Sequence, residues 1–380
     1  MIGNAGCVST KRIVTKKMMN KILLKNEDIF STQIKYSTND FLLKPTTGIL
    51  QSRKDAIISQ LFLYSSPMDT VTGIELSQAL LDLNQAPVFC RFLPEDVKFK
   101  AFENFKDHKN FWFAVGASLE DFLALDLYFK NNKGKVNISI DVAHGDTQEL
   151  CKVYNSYSKA NWCRNIMSGT VATSSSALNV ARAGCTHIRV GIGPGSACST
   201  RIVTGCGVPN LSAVFNIWST FQDYFHEVRP KIIADGGIKN TGDIVKYLSA
   251  GADAVMVGSL FSTCIESANW KTNKLKKIIN FLSFNKFCKN YLFKHYRGQA
   301  SKDFQIEHRG VVSGTPEGVT GNIQNPTITV ENFVNETKAG VASALSYLGL
   351  TNIKDLNPHN VEFIRISSAS YQESRPHLLD

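Results

Sequence analysis

The sequence predicts a single closed (β/α)8 barrel, on three observations. Eight short apolar, β-rich runs punctuate the chain, most starting about 25 residues after the one before. The segments between them repeat apolar residues at three- and four-residue steps, the period of an amphipathic helix. Residues with chemistry to offer stand at or just past the C-terminal ends of the runs. Strand–helix units at this spacing imply a parallel sheet. A doubly wound open sheet is the alternative, but it rarely needs eight such even units.

In chain order the runs are Leu61–Ser65, Pro87–Cys90, Phe111–Gly116, Val136–Asp141, Cys163–Gly169, His187–Gly193, Lys231–Gly237 and Ala254–Ser259, with a longer gap before the seventh. Thr72–Leu83 and Ser174–Gly184 carry the helical period. Asn240–Gly251 adds a polar start and a terminal glycine, the usual helix boundaries. Val330–Leu348 reads as the helix that closes the barrel. Two segments fall outside the pattern. Phe261–His295 is a basic, aromatic insertion, and Tyr296–Gly321 is rich in glycine, serine and charge, like a mobile flap. Residues 36–380 form one domain. Residues 1–35 form a basic extension: Lys11, Arg12, Lys16, Lys17, Lys21 and Lys25 occur there with no acid before Glu27. The extension lacks a secretory apolar stretch and is poor in arginine for an organelle transit peptide.

Composition excludes several classes. With 43% hydrophobic and 19% charged residues over 380 positions, the chain buries a core without staples. No apolar run approaches the roughly 18–20 residues that span a bilayer, so no membrane helix is expected. The net charge of +10 reads as a lysine-rich surface with a few phosphate-binding positions, because no compact aromatic-plus-basic motif points to nucleic acid. The nine cysteines are odd in number and form no CxxC pair. This argues against a zinc site and a secreted disulfide framework, and for a reducing, cytoplasmic setting.

The ends of the runs converge on one mouth in a barrel. Asp235-Gly236-Gly237 and Gly258-Ser259 close the seventh and eighth runs, where barrels commonly bind phosphate. Their glycines expose backbone N–H groups, Ser259 adds a donor, and Asp235 can accept from ribose hydroxyls. Many flavin-dependent barrels carry similar loops. The sixth run leads into "GIGPGSACSTR", Gly191–Arg201. A thiol in a glycine-rich loop beside a phosphate site is placed to be a nucleophile, which makes Cys198 the first candidate. Backbone carbonyls of such a loop can also hold a monovalent cation.

"GIGPGSACSTRIVTGCGVPNLSAV", Gly191–Val214, resembles the signature loop of the IMP dehydrogenase/GMP reductase family. "YSTNDFLLKPTTGILQSR", "SSPMDTVT", "DVAHGDT", "IIADGGIKNTGDIVKYLSAGADAVMVGSLF", "YRGQAS" and "PEGVTG" match it in order, from about Tyr36 to the C-terminus. The resemblance implies a (β/α)8 barrel, usually tetrameric, that acts on a purine nucleotide with a nicotinamide cofactor. Cys198 would add to C2 of the purine, and Thr200 and Glu317 would handle proton transfer to water or ammonia. Ser196, Gly237, Gly258, Ser259 and Tyr296 would hold the 5′-phosphate, Asp235 the ribose diol, and Ser66 and Met68 would line the nucleotide site, with Gly298 also substrate-binding. Asp141 would meet the cofactor, NADPH in a reductase or NAD in a dehydrogenase. Carbonyls of Gly193, Gly195 and Cys198 resemble a potassium site, completed by a C-terminal segment such as Gln372–Ser374 of a neighbouring subunit.

The two family reactions share the covalent adduct and differ in its resolution. The family's dehydrogenases usually carry a regulatory insertion after the second strand. This chain has only "RFLPEDVKFKAFENFKDHKN" there. The dehydrogenase also uses an Arg-Tyr pair on its flap, and none occurs between Tyr296 and Glu317, where Arg309 is followed by glycine. These features favour GMP reductase. IMP dehydrogenase is the alternative, favoured by "SSPMDTVT", "PEGVTG" and "FIRISSASYQESRPH". Thr170 stands where the family usually has asparagine, which points to altered positioning of nucleotide or cofactor. The remoter alternatives are a flavin-dependent barrel and an inactive nucleotide-binding homologue.

Overall fold

The computed structural model describes residues 34–59, 62–268, 271–272, 292–324 and 326–374. The basic segment 1–33 and most of the 261–295 insertion lie outside these residues.

A short strand β1 (Phe41–Leu43) precedes the barrel. The eight expected strands follow as β2 (Leu63–Ser65), β3 (Val88–Phe89), β4 (Trp112–Val115), β5 (Val136–Ile140), β6 (Cys163–Met167), β7 (His187–Val190), β8 (Lys231–Asp235) and β9 (Ala254–Val257). They form one sheet in the order β2-β9-β8-β7-β6-β5-β4-β3, with every pair parallel. A parallel bridge between Tyr64 and Ala86 closes it: Ser65 N donates to Ala86 O and Ala86 N to Leu63 O, both at 3.0 Å. The sheet is therefore a closed (β/α)8 barrel. Strands β2, β5 and β9 are buried along their whole length, and β9 reads as a continuous apolar run rather than as an alternation.

Side chains fill the barrel. Tyr64, Val88, Trp112, Met167, Ile233 and Met256 form a cluster distinct from the outer strand–helix core. His187 is buried beside it, 4.6 Å from the Trp112 ring centroid. Burial pushes its pKa down to about 3, so the ring is neutral at physiological pH. The helices begin where the sequence places caps. Thr173, Asn240 and Thr329 accept from the backbone N–H three residues on, at the heads of helices Ser174–Arg182, Thr241–Ser249 and Val330–Tyr347. The last of these buries Val330, Val334, Val341 and Leu345 and is the barrel's final helix. Each such side chain contributes about 1.5–3 kcal/mol.

Beyond β9 the chain builds a second, antiparallel sheet of β10 (Lys271–Thr272), β11 (Leu292–Arg297) and β12 (Thr320–Gln324). The segment read as a mobile flap is thus partly regular: it leaves on β11, forms the helix Lys302–Arg309 and returns on β12. A final strand β13 (Phe363–Arg365) pairs antiparallel with β1 and ties the two ends of the domain together. Among the described residues, no helix is long and apolar enough to cross a membrane.

Candidate active site

The C-terminal ends of the strands open into a cavity of about 440 Å³, in the size range of small-molecule sites. Apart from Gln372–Ser374, every residue singled out from the sequence for catalysis, nucleotide, cofactor or cation lines it. Ser66 and Met68 lie after β2, Asp141 after β5, and Gly193, Gly195, Ser196, Cys198 and Thr200 after β7. Asp235, Gly237, Gly258 and Ser259 come from the ends of β8 and β9, and Tyr296, Gly298 and Glu317 from the flap. Thr170 and Arg309 complete the wall.

The thiol loop is built on glycine. Gly191 has φ +150°, and a Cβ there would lie 2.1 Å from the Asp235 carbonyl oxygen. The loop then turns so that Cys198 N donates to Gly195 O at 3.0 Å. The half-buried Cys198 thiol donates to the Thr200 hydroxyl at 3.1 Å. The flap is laced to this loop. Ser199 N donates to Glu317 O at 2.9 Å and Val319 N to Ala197 O at 3.0 Å, with Cys198 and Gly318 forming an antiparallel bridge. Glu317 is thereby fixed one backbone hydrogen bond away from the thiol segment.

Arg201 spans both ends of the loop. Its Nε donates to Ile192 O at 2.8 Å and its Nη2 to Val208 O at 2.6 Å. The stem lies where Cβ atoms of Gly193 and Gly207 would be, 2.5 and 2.7 Å from the nearest Arg201 atoms. A second arginine the sequence reading missed is Arg189, inside β7. Its Nε donates to Asp235 Oδ2 at 2.7 Å and its Nη1 to Asp141 Oδ1 at 3.1 Å. Burial opposes its charge, but the two carboxylates more than offset this and raise its pKa. The carboxylates assigned to ribose and to cofactor are therefore held by one guanidinium. Arg91 and Phe92, after β3, were also missed. Arg91 stands 3.5 Å from Asp141 Oδ2, too long for a hydrogen bond, with its guanidinium 4.0 Å from the Phe92 centroid.

On the other side of the cavity, a Cβ at Gly258 would lie 3.1 Å from Ser66 Oγ and 3.3 Å from Met68 Sδ. Ser196 Oγ and Tyr296 Oη stand 3.3 Å apart. Burial raises the Tyr296 pKa, so it faces this pocket as a neutral phenol. The Thr170 hydroxyl donates to the Ala143 carbonyl at 2.5 Å and is committed there. The carbonyls of Gly193, Gly195 and Cys198 are hard, neutral oxygen donors of the kind potassium takes, and Gly195 O already accepts from Cys198 N. Gln372–Ser374 lies exposed at the end of helix Ser368–Glu373. Among the described residues, no cluster of three or more His, Cys, Asp or Glu side chains is placed to hold a metal ion.

A buried ion pair and a buried, hydrogen-bonded lysine fix the base of the flap. Arg297 binds Asp69 through Nε and Nη2 and donates from Nη1 to Glu307 at 2.6 Å. Lys294 donates to Thr70 O at 2.8 Å and to Ser267 Oγ, and burial lowers its pKa to about 7.

The fold and the site define a closed (β/α)8 barrel whose mouth joins a strapped thiol loop, two arginine-held carboxylates and a glycine-lined pocket. The chain belongs to the IMP dehydrogenase / GMP reductase domain family, whose model matches residues 39–377. An inosine-5′-monophosphate dehydrogenase of Borreliella burgdorferi is 33% identical over 242 residues, covering 63% of this chain and 56% of that protein. One from Chlorobaculum parvum is 29% identical over 377 residues, covering 98% of this chain and 71% of that protein. One from Rhizobium tropici is 34% identical over 244 residues, covering 63% and 46%. The chain thus spans about half the length of several of these relatives.

Proposed function

We propose that the chain is an oxidoreductase of purine nucleoside monophosphates, and that its reaction is oxidation of IMP by NAD with water, giving XMP and NADH. The observation that carries the reading is the convergence of Cys198, Thr200 and Glu317 on one cavity that also holds the glycine-lined pocket and the Asp235–Arg189 pair. The choice of dehydrogenase over reductase rests on the relatives cited above, each named an inosine-5′-monophosphate dehydrogenase.

The Cys198 sulfur adds to C2 of the purine and turns a flat ring carbon tetrahedral. Nicotinamide supplies the hydride acceptor, which protein side chains cannot. Loss of hydride from C2 leaves the purine bonded to sulfur. Water then attacks C2, the sulfur departs, and XMP is released. Thr200 accepts a hydrogen bond from the thiol at 3.1 Å, and its hydroxyl would relay protons between water and the Glu317 carboxylate, which holds them. Asp235 receives the ribose diol through its free oxygen while Arg189 holds the other. Ser196, Gly237, Gly258, Ser259 and Tyr296 hold the 5′-phosphate, and Ser66, Met68 and Gly298 line the rest of the nucleotide site. Potassium would be held by the carbonyls of Gly193, Gly195 and Cys198. A homotetramer in the cytoplasm is the expected setting.

GMP reductase, with NADPH, is the second reading, and one observation favours it. Tyr296 to Glu317 holds no Arg-Tyr pair, and only eight residues of it form a helix. Parallel assays separate the two: IMP, NAD and potassium in one cuvette, GMP and NADPH in the other. A gain of reduced-nicotinamide absorbance in the first supports the dehydrogenase. A loss in the second, with ammonia released, replaces it with the reductase. Silence in both rejects the oxidoreductase reading.

A further inference from the structure

Three arginines line the cavity, and two are already neutralised. Arg189 is shared by Asp141 and Asp235, and Arg91 faces Asp141. Those two arginines and two carboxylates cancel. Arg309 is different: among the described residues its side chain makes no hydrogen bond and no ion pair, and it is exposed at the cavity wall. Among the described residues, the remaining lining carboxylate, Glu317, forms no ion pair.

Its backbone is nonetheless fixed. Arg309 ends helix Lys302–Arg309, and Gly310 turns the chain at once with φ +70°. Phe304 of that helix is fully buried, with its ring centroid 4.8 Å from that of Phe92. His308 packs on both rings, at 4.3 Å from Phe304 and 5.5 Å from Phe92. Glu307 is held by Arg297. The helix therefore sits over the end of β3. Strand order puts β3 two strands from β5, which leads to Asp141, and two from β9, with β8 a strand further. Phe92 and Arg91 tie the helix toward Asp141, while Glu307 and His308 tie it through Arg297 and Asp69 to the end of β2. The glycine pocket after β8 and β9 has its own donors for the monophosphate, which leaves the guanidinium for a second anion.

An uncompensated guanidinium on a rigid helix, aimed at a cavity for phosphorylated ligands, is an anion receptor. We infer that Arg309 binds the pyrophosphate of the dinucleotide cofactor and sets cofactor affinity, with no part in holding the nucleoside monophosphate. The inference rests on the oxidoreductase reading above.

The test is calorimetric titration of the full-length protein with ADP-ribose, which carries the pyrophosphate but not the reactive ring, in the presence of saturating IMP. Arg309→Gln is expected to weaken ADP-ribose binding about tenfold, as loss of about 1.4 kcal/mol implies, and to flatten its salt dependence. Arg309→Lys keeps the charge and is expected to stay within about threefold of the wild type. IMP affinity is unchanged in both. Steady-state kinetics should show the loss in KM for NAD rather than in kcat. The inference is overturned if Arg309→Gln binds ADP-ribose like the wild type, if IMP affinity falls instead, or if kcat alone drops. Wild-type protein that binds neither ADP-ribose nor NAD overturns the oxidoreductase reading along with it.

Discussion

Arg201→Ala removes the clamp that closes the thiol loop. The guanidinium gives charge-assisted bonds of 2.8 Å to Ile192 O and 2.6 Å to Val208 O. Such bonds contribute about 1.5–3 kcal/mol each. Arg201 is half-buried, and water reaches the freed carbonyls, so the lower end applies and the pair totals about 3 kcal/mol. A domain with 5–15 kcal/mol of stability survives that loss, so the variant folds. The local effect is larger in consequence, because Cys198 lies between the two clamped carbonyls. Urea denaturation reads the stability, and the rate of alkylation at Cys198 reads the geometry. Both are best measured in a Cys206→Ser background, since Cys206 is exposed. Turnover is expected to fall at least tenfold, with Arg201→Lys intermediate because an ammonium spans only one of the two carbonyls. Stability within about 0.5 kcal/mol of the parent, with unchanged alkylation and turnover, would refute the clamp.

Gly191→Ala forces a Cβ to within 2.1 Å of the Asp235 carbonyl at φ +150°. Strain and overpacking together cost about 2–5 kcal/mol, read as a lowered Tm. His187 has a folded pKa near 3, below its unfolded value of about 6.5. The unfolded chain therefore binds the extra proton between those values, and stability present above pH 6.5 drains away as pH falls toward 3. The slope reaches about 1.4 kcal/mol per pH unit. His187→Gln should flatten that part of the stability–pH curve. Asp69→Asn leaves Arg297 with only the exposed Glu307 carboxylate, and breaking a buried pair costs up to about 3–5 kcal/mol. The flap should loosen first, seen as faster tryptic cleavage after Arg309 with the barrel still intact.

The barrel was legible because parallel strands are buried on both faces. Ala254–Val257 is apolar throughout, and Val136–Ile140 keeps Val136, Ile138 and Ile140 apolar with only small or hydrogen-bonded polar residues, Asn137 and Ser139, between them. The site was legible because a barrel gathers its strand ends, so Asp141, Cys198, Asp235 and Ser259 could be joined without knowing any distance. What escaped depended on pairing rather than pattern. Thr320–Gln324 alternates no apolar face and is at best half-buried, so β12 read as loose flap. The β1–β13 pair joins residues more than three hundred positions apart and leaves no local trace. Arg189 was hidden within an apparently apolar run, "HIRVGIG". A charge inside a barrel strand was the available signal, since buried cations need partners, and Asp235 ends the adjacent strand β8 while Asp141 follows β5, two strands away. The preference for a reductase came from what the flap lacks, whereas the named relatives are dehydrogenases.

The covalent step at Cys198 is common to both family reactions, and it can be seen directly. The enzyme would be quenched in acid during turnover with IMP and NAD, and in parallel with GMP and NADPH. Its proteolytic peptides would then be weighed by mass spectrometry. The expected result is a purine nucleotide on the peptide bearing Cys198 in one of the two mixtures, absent from Cys198→Ala, which also fails to turn over. An unmodified Cys198 peptide under both conditions, together with a Cys198→Ala variant that turns over normally, would contradict the thiol mechanism.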